Sequence, residues 1–406
     1  MITLFHTLYV LTILFLGFYS AFWLISTLIG LGYKAPIKGS SDKNPEILLL
    51  LPAYKPSDIF FDVLTAVSKV IGDRNIKVLV LLQEADTKFE QAARAHGFLV
   101  EEKAFGHLPG NSYHHALKHL VGKIASDAYE DLHPDFVMLL DKDNIIEPDF
   151  FSNISNDLYQ SFDVLQGRRV ALNTDGTTSF FDAVSEGLND IMYRASPTRL
   201  GSVLEISGSG ALIKTALFCE AIDRLNPKAP GYDKNFMVNV LTSSTSVKMT
   251  YLPHCQLMEE KTSSLNAHDP QRVRWFGEQY FNAIHSAKSL ISTCLKKGRW
   301  SALWYLLVLC RPPRSLQLLV VPMIAMVELL VLFSTGVISI TLIIALFSTL
   351  AILSAAWITL VHLNLTHQAP NHIKDLPKLA WHNLSNAIKS VKSENQGKFI
   401  HTEHKL

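Results

Sequence analysis

The sequence predicts an α/β domain with a doubly wound sheet, set between helices that cross a membrane. Two observations carry this. Between Ile47 and Leu140, short apolar runs alternate with helical stretches, the βαβα order that builds a sheet covered by helices on both faces. At the two ends of the chain the apolar residues form long uncharged runs instead, and they lift the mean hydropathy to +0.19.

The first run, Ile2 to about Leu31, has no charged residue, and a spanning helix needs roughly 20 such residues. A cleaved leader would show a basic start, a shorter apolar core and a small-residue cleavage site. None is present, so a retained anchor is expected over residues 1–32. Ser315 to Phe333 and Val337 to Leu360 are two further runs joined by Ser334-Thr335-Gly336, which predicts a hairpin over 315–362. Lys34 and Lys38 follow the first run, Arg311 and Arg314 precede the second, and Lys374, Lys378, Lys389 and Lys392 follow the third. Positive flanks stay on the cytoplasmic side. The expected topology is N-terminus out, central domain (33–290) in, hairpin tip out and tail (363–406) in. Within 291–314, Gly298 to Cys310 is apolar but too short to span, and it predicts an interfacial helix with Trp300, Trp304 and Tyr305 at the headgroups. Glu328, inside the second run, is either a functional acid or one satisfied by neighbouring helices.

The net charge of +1 gives no long-range field toward nucleic acid. Cys219, Cys255, Cys294 and Cys310 lack ligand spacing. In a reducing compartment they predict neither disulfide nor zinc, only small buried hydrophobes.

In the central domain, Ile47 to Leu51 is a continuous apolar run ending at Pro52-Ala53-Tyr54, as in strands buried on both faces. A helix over Asp58 to Val70, a strand over Lys77 to Leu82, a helix over Thr87 to His96 and a short strand over Phe98 to Glu101 follow. A helix over Tyr113 to Ile124 then precedes the strand Phe136 to Leu140. Ligands of such sheets bind beyond the carboxyl ends of the strands.

Strand Phe136 to Leu140 runs directly into Asp141-Lys142-Asp143. Two carboxylates one residue apart at a strand exit suit a hard divalent cation, which completes its shell with water and substrate phosphates. A solvated turn is the plain alternative. In Gln271-Arg272-Val273-Arg274-Trp275, helical geometry would place Gln271, Arg274 and Trp275 on one face. Arg is a forked donor suited to a diphosphate, Trp a flat face for a sugar ring, and Gln a partner for hydroxyls. A juxtamembrane anchor helix would read the same way. Asp233, in Gly231-Tyr232-Asp233-Lys234, is either a helix cap or a base aimed at the same cleft. Gly208-Ser209-Gly210 permits close backbone approach to a ligand, or is a tight turn.

Taken in order, these segments resemble the membrane-bound branch of the family 2 inverting glycosyltransferases, related to cellulose, chitin and hyaluronan synthases. The matching segments are ILLLLPAYKP, FVMLLDKDNIIEPDFF, VLQGRRVALN, EISGSGALIK, GYDKNFMVNVL, KMTYLPHCQLMEEK, QRVRW and the late Lys398–His404 segment. The resemblance implies a GT-A fold, a Rossmann-like doubly wound mixed sheet. It implies Asp143 as principal metal ligand with Asp141 beside it toward the donor, Mg²⁺ or Mn²⁺ as cofactor, and Asp233 as catalytic base. Gln271 and Trp275, with Gly208, Ser209 and Gly210, would line the acceptor site, and Arg274 the donor diphosphate. Pro52, Ala53 and Tyr54 would lie against the nucleobase.

Three positions depart from the family pattern. The Asp expected at the end of the second strand is replaced by Leu82-Gln83-Glu84, so either Glu84 or Asp86 substitutes for it or base recognition is altered. The Lys expected before the next helix is absent, the chain reading Gly110-Asn111-Ser112. The acidic neighbour of the base is Tyr232. The implied activity is transfer from a nucleotide sugar, UDP-linked, to a growing β-linked polysaccharide at a bacterial inner (plasma) membrane. The alternatives are single additions to a lipid acceptor and a catalytically silent scaffold, and a transporter is disfavoured by the large α/β domain. With few spanning helices, a polymerase would need a homo-oligomer or an export partner.

Overall fold

The computed structural model describes residues 2–36, 45–72, 74–126, 132–243, 245–262 and 265–391. Lys38, Lys392 and the Lys398–His404 segment lie outside the described residues. Strand β1 (Ile47–Tyr54) is buried along its length except at Tyr54. Side chains of a strand point alternately to the two faces, so a continuous apolar run serves two cores. Leu48 and Leu50 pack with Leu79, Leu117 and Val137. Leu49 and Leu51 pack on the other face with Phe60, Val63 and Met138.

Helix α2 (Ile59–Ile71), β2 (Ile76–Gln83), α3 (Thr87–Ala95), β3 (Leu99–Glu102), α4 (Ser112–Ala125) and β4 (Phe136–Leu139) complete the first half. Its strands are all parallel: β1 pairs with β2 and β4, and β2 with β3. The second half adds β5 (Asn144–Ile146), α5 (Asn156–Ser161), β6 (Val164–Ala171), α6 (Thr177–Asn189), α7 (Ser196–Arg199), β7 (Ala211–Lys214), α8 (Thr215–Asp223), α9 (Asp233–Thr242) and β8 (Met249–Glu259). A π-helical turn, Asp190–Ala195, joins α6 to α7. The eight strands lie in the order β3-β2-β1-β4-β7-β6-β8-β5. β7 runs antiparallel to β4 and β6, β5 antiparallel to β8, and β6 parallel to β8, so the sheet is mixed, as the resemblance implied. Because β1, β2 and β4 are parallel, Tyr54, Gln83 and Asp141 emerge on one edge.

Gly210, just before β7, has φ of +70°, and a Cβ there would stand 2.3 Å from Leu257 Cδ1. Overpacking at a left-handed position costs about 1–3 kcal/mol. Gly210→Ala is therefore expected to lower the thermal unfolding midpoint of the detergent-purified protein.

The remaining elements are helical: α1 (Ile2–Leu31), α10 (Leu265–Lys297), α11 (Trp300–Leu309), α12 (Arg314–Thr335), α13 (Ile340–His362), α14 (Ala369–His372) and α15 (Leu376–Ser390). Among the described residues three helices, Leu4–Leu31, Arg314–Thr335 and Ile340–His362, are long and apolar enough to cross a membrane. At 30 residues, α1 is about 45 Å long, more than the roughly 30 Å hydrocarbon core requires. Its later part packs on the α/β domain. Trp23 joins that domain's core, Arg199 Nη1 donates to the Ile29 carbonyl at 2.9 Å, and a Cβ on Gly30 would stand 2.1 Å from the Ile191 carbonyl oxygen.

Helix α11 does not present its aromatic residues together at a surface. Trp300 is exposed, but Ala302, Tyr305, Val308 and Leu309 are fully buried. The helix has no polar face to offer solvent, so it is covered by α9 and α10. Glu328 accepts hydrogen bonds from Tyr9 (2.6 Å) and Ser339 (2.7 Å), which is the satisfied-acid alternative. Among the described residues none of the four cysteines forms a disulfide, and Cys310 is exposed rather than buried. The chain after α13 folds back: α15 packs on α10 and α12, with His382 and Asn386 each 2.9 Å from Asp269.

Candidate active site

A cavity of about 340 Å³ opens at the carboxyl edge of the sheet. It brings together Pro52, Tyr54, Asp141, Asp143, Gly208, Asp233, Gln271, Arg274 and Trp275, which the sequence scatters over most of the central domain.

The carboxylate pair is shaped by the end of β4. Leu140 still donates to the Leu50 carbonyl at 3.0 Å. The chain then leaves the sheet at Asp141, whose N–H donates to Ser209 Oγ at 3.2 Å. The Lys142 ammonium donates to the carbonyls of Tyr54 (2.7 Å) and Lys55 (2.8 Å), which ties the triplet to the end of β1. Asn144 Nδ2 donates to Asp143 Oδ1 at 3.1 Å. Burial, and next the charge of Asp143, pushes the Asp141 carboxyl up to about 7. Two carboxylates crowded together in a buried site form a donor set suited to a hard divalent cation. Among the described residues no group of three or more His, Cys, Asp or Glu could hold a metal, so the remaining ligands would be water and donor phosphate, as Mg²⁺ favours.

Asp233 begins α9, where Lys234 Nζ lies 3.3 Å from its Oδ2. Across the cleft wall stands Glu278 of α10, whose Oε1 accepts from the Lys234 N–H at 3.0 Å. Burial alone would raise Asp233, but Lys234 and a hydrogen bond with Glu278 hold its carboxyl at about 2. Burial and the charge of Asp233 push Glu278 well above the usual carboxylate range. The two carboxyls are thus driven apart, Asp233 held low and Glu278 pushed high. A Cβ on Gly231 would come 2.2 Å from Glu278 Oε2, so this glycine is what admits Glu278 beside Asp233. The acidic neighbour replaced by Tyr232 in sequence is thus supplied in space. Sequence reasoning missed Glu278, although it falls on the same helical face as Gln271 and Arg274 at seven- and four-residue spacing.

On α10, Gln271 is buried. Trp275 is held by Arg272, whose guanidinium lies 4.5 Å from the ring centroid and pairs with Asp182. Arg274 sits in the field of Glu278, Asp141, Asp233 and Tyr113, and burial lowers its pKa.

Five expected residues do not line the cavity. Ala53 is fully buried in the sheet core. Glu84 is exposed at φ +49° and pairs with Lys55 at 3.2 Å, and Asp86 is the exposed residue preceding α3. The buried Gln83 lines the cavity in their place, because the strand's last inward side chain is Gln83. Ser209 is wholly buried and props Asp141 from behind, while Gly210 makes a tight turn against Leu257. Asn111, standing near the expected Lys, caps α4 by accepting from the Tyr113 N–H (3.0 Å) and donates to the Ala229 carbonyl (3.0 Å). With the His114–Gly231 contact at 3.1 Å, it fixes the loop that delivers Asp233.

A mixed sheet with this cleft at its carboxyl edge is the GT-A fold of glycosyltransferases. A family model described as glycosyltransferase like family 2 matches residues 45–278, and the chain belongs to that family. Among solved structures, the chain is similar to the mannosyltransferase PcManGT from Pyrobaculum calidifontis in complex with GDP-Man and Mn²⁺. The identity is 11% and the TM-score 0.50, over 94% of this chain and 96% of that one. Glucosyl-3-phosphoglycerate synthase from Mycobacterium tuberculosis also aligns, at 16% identity and TM-score 0.38, over 64% of this chain and 88% of that one. No curated protein matches the sequence at a significant level.

Proposed function

We propose that the chain is an inverting glycosyltransferase that moves a sugar from a nucleotide donor, UDP-linked, to an acceptor hydroxyl at the cytoplasmic face of a bacterial inner membrane. The observation that carries this is the convergence of Asp141, Asp143, Asp233 and Arg274 on one cavity. Asp141 and Asp143 would hold Mg²⁺ or Mn²⁺, which offsets the charge of the leaving diphosphate. Arg274 binds and orients the diphosphate, and Trp275 and Gln271 position the acceptor. The Asp233 carboxylate takes the proton of the acceptor hydroxyl as its oxygen bonds to the anomeric carbon. The bond from that carbon to the diphosphate oxygen breaks on the opposite face, so an α-linked donor gives a β-linked product. The catalytic unit spans 33–290, anchored by 1–32 and 315–362, with 291–314 beneath it and α15 of the 363–406 segment against it.

The motif order supports the polysaccharide-synthase branch, which would add sugars repeatedly and would need an oligomer or export partner for passage. A second reading, single addition to a lipid acceptor, is favoured by a specific feature: the cavity continues to Trp23 of α1 and Leu318 of α12. Incubating purified protein with a panel of nucleotide sugars and Mn²⁺, then sizing the product, separates the two. Absence of turnover with every donor and acceptor sinks the transferase reading itself.

The pH dependence follows from the two acids. Asp233, held at about 2, stays ionised throughout the neutral range. Asp141, raised to about 7, is protonated below that value, and protons then compete with the cation. At low Mn²⁺ the acid limb of activity is expected near pH 7, with roughly tenfold weaker cation binding one unit below. Saturating Mn²⁺ favours the ionised form and moves the limb to lower pH. A limb that ignores Mn²⁺ concentration would exclude Asp141 from the cation site.

A further inference from the structure

The cleft does not end at the reacting centre. Its far wall is built from Trp23, Pro312, Pro313, Arg311, Arg314 and Leu318, where the candidate spans meet the α/β domain. Most cations lining the cleft have a carboxylate partner: Arg169 with Glu186 and Glu259, Arg194 with Glu186 and Asp190, and Arg311 with Glu205. Arg314 differs. Its guanidinium donates to neutral groups, the Ser185 carbonyl and hydroxyl at 2.9 Å each and Asn189 Oδ1 at 2.6 Å. Its Nε is buried with no hydrogen-bond partner, and Glu205, whose charge acts on it, forms its ion pair with Arg311 instead.

Aromatic rings frame the same spot. The Arg314 guanidinium lies 5.2 Å from the Tyr193 ring and 5.7 Å from that of Trp23, and the Arg311 guanidinium lies 4.6 Å from the same Tyr193 ring. Two guanidinium groups thus lie at one ring and in the field of one carboxylate, Glu205, which pairs with Arg311, so a positive charge is left in excess at this mouth. A partly desolvated cation in excess over its counter-charges is costly, and a forked donor matches phosphate geometry. Basic pockets between membrane helices at the cytoplasmic boundary recognise lipid head groups. Leu318, Val184 and Leu188 of the same wall give an acyl or prenyl chain an apolar path.

We propose that this mouth binds the phosphate headgroup of a membrane lipid, held by Arg314 with Arg311 beside it. The site rests on the transferase reading only for the role of that lipid, an acceptor whose reacting end points along the cleft toward Asp233. Full-length protein in neutral detergent would be titrated with phosphatidic acid, phosphatidylcholine or inorganic phosphate, and bound lipid read by native mass spectrometry. Wild type is expected to bind phosphatidic acid roughly tenfold more tightly than phosphatidylcholine, and Arg314→Gln to lose about that factor while Arg314→Lys keeps part of it. Inorganic phosphate at equal concentration is expected not to displace the lipid.

Equal binding of the two lipids by wild type overturns the site, and this arm needs no variant to fold. Unchanged selectivity in a folded Arg314→Gln protein overturns it as well, and displacement by inorganic phosphate overturns the lipid as its source. Donor binding measured alongside keeps the readings apart. Lost lipid selectivity with donor binding intact removes this site alone, whereas intact selectivity without donor binding or turnover removes the transferase reading.

Discussion

Asp233→Asn is expected to lower kcat by roughly 10²–10⁴-fold, the usual contribution of a positioned general base, while the KM for the donor changes little. The amide keeps the size of the carboxylate but cannot take the acceptor's proton. The structure adds a second consequence. The charge of Asp233 pushes Glu278 up beside Lys234, so removing that charge makes Glu278 easier to ionise against Lys234, 3.9 Å away. Residual activity in the Asn variant should therefore fall further when Glu278→Gln is added. Steady-state kinetics with one donor and varied acceptor would measure both steps. An Asn variant within tenfold of wild type would remove Asp233 from the base role.

Asp143→Ala is expected to reduce kcat/KM for the donor by about a thousandfold, since stabilisation of the leaving diphosphate by a bound cation is worth several kcal/mol. It should also abolish the response to Mn²⁺. The same variant removes the neighbouring charge that, after burial, most raises Asp141, so the acid limb of whatever activity persists should move below pH 7. Calorimetric titration of Mn²⁺ with donor present, on wild type and variant at two pH values, checks all three. Wild-type Mn²⁺ affinity in the variant would place the cation elsewhere.

Much of this architecture was legible from residue order. The run Ile47 to Leu51 had to be a strand buried on both faces, since its alternate side chains serve separate cores. The carboxylates of Asp141 and Asp143 were legible because a strand exit places them at the sheet's binding edge. The spacing of Gln271, Arg274 and Trp275 was legible because helical period puts them on one face. The nucleobase end was not. Glu84 and Asp86 are acids one and three residues past Gln83, and only the backbone turn at Glu84, φ +49°, decides that Gln83 lines the cavity and they do not.

Glu278 was hidden for a different reason. A glutamate on a long polar helix carries no sign of burial until Gly231 is known to lie against it. The segment after α13 likewise read as a tail, yet Leu376, Leu379 and Asn383 of α15 line the cleft, because α10 and α12 together form the groove it occupies.

The sequence by itself determined the class of sheet, the apolar helices that flank it and the acids placed at the sheet's binding edge, because each follows from local period and residue type. Which of those acids face one another, which cations lack a carboxylate of their own and where the cleft meets the long apolar helices were decided only in the folded chain. Charge pairing depends on distances between segments far apart in sequence, and the Asp141-Asp143 pair owes its crowded, raised carboxyl to burial that no local pattern records.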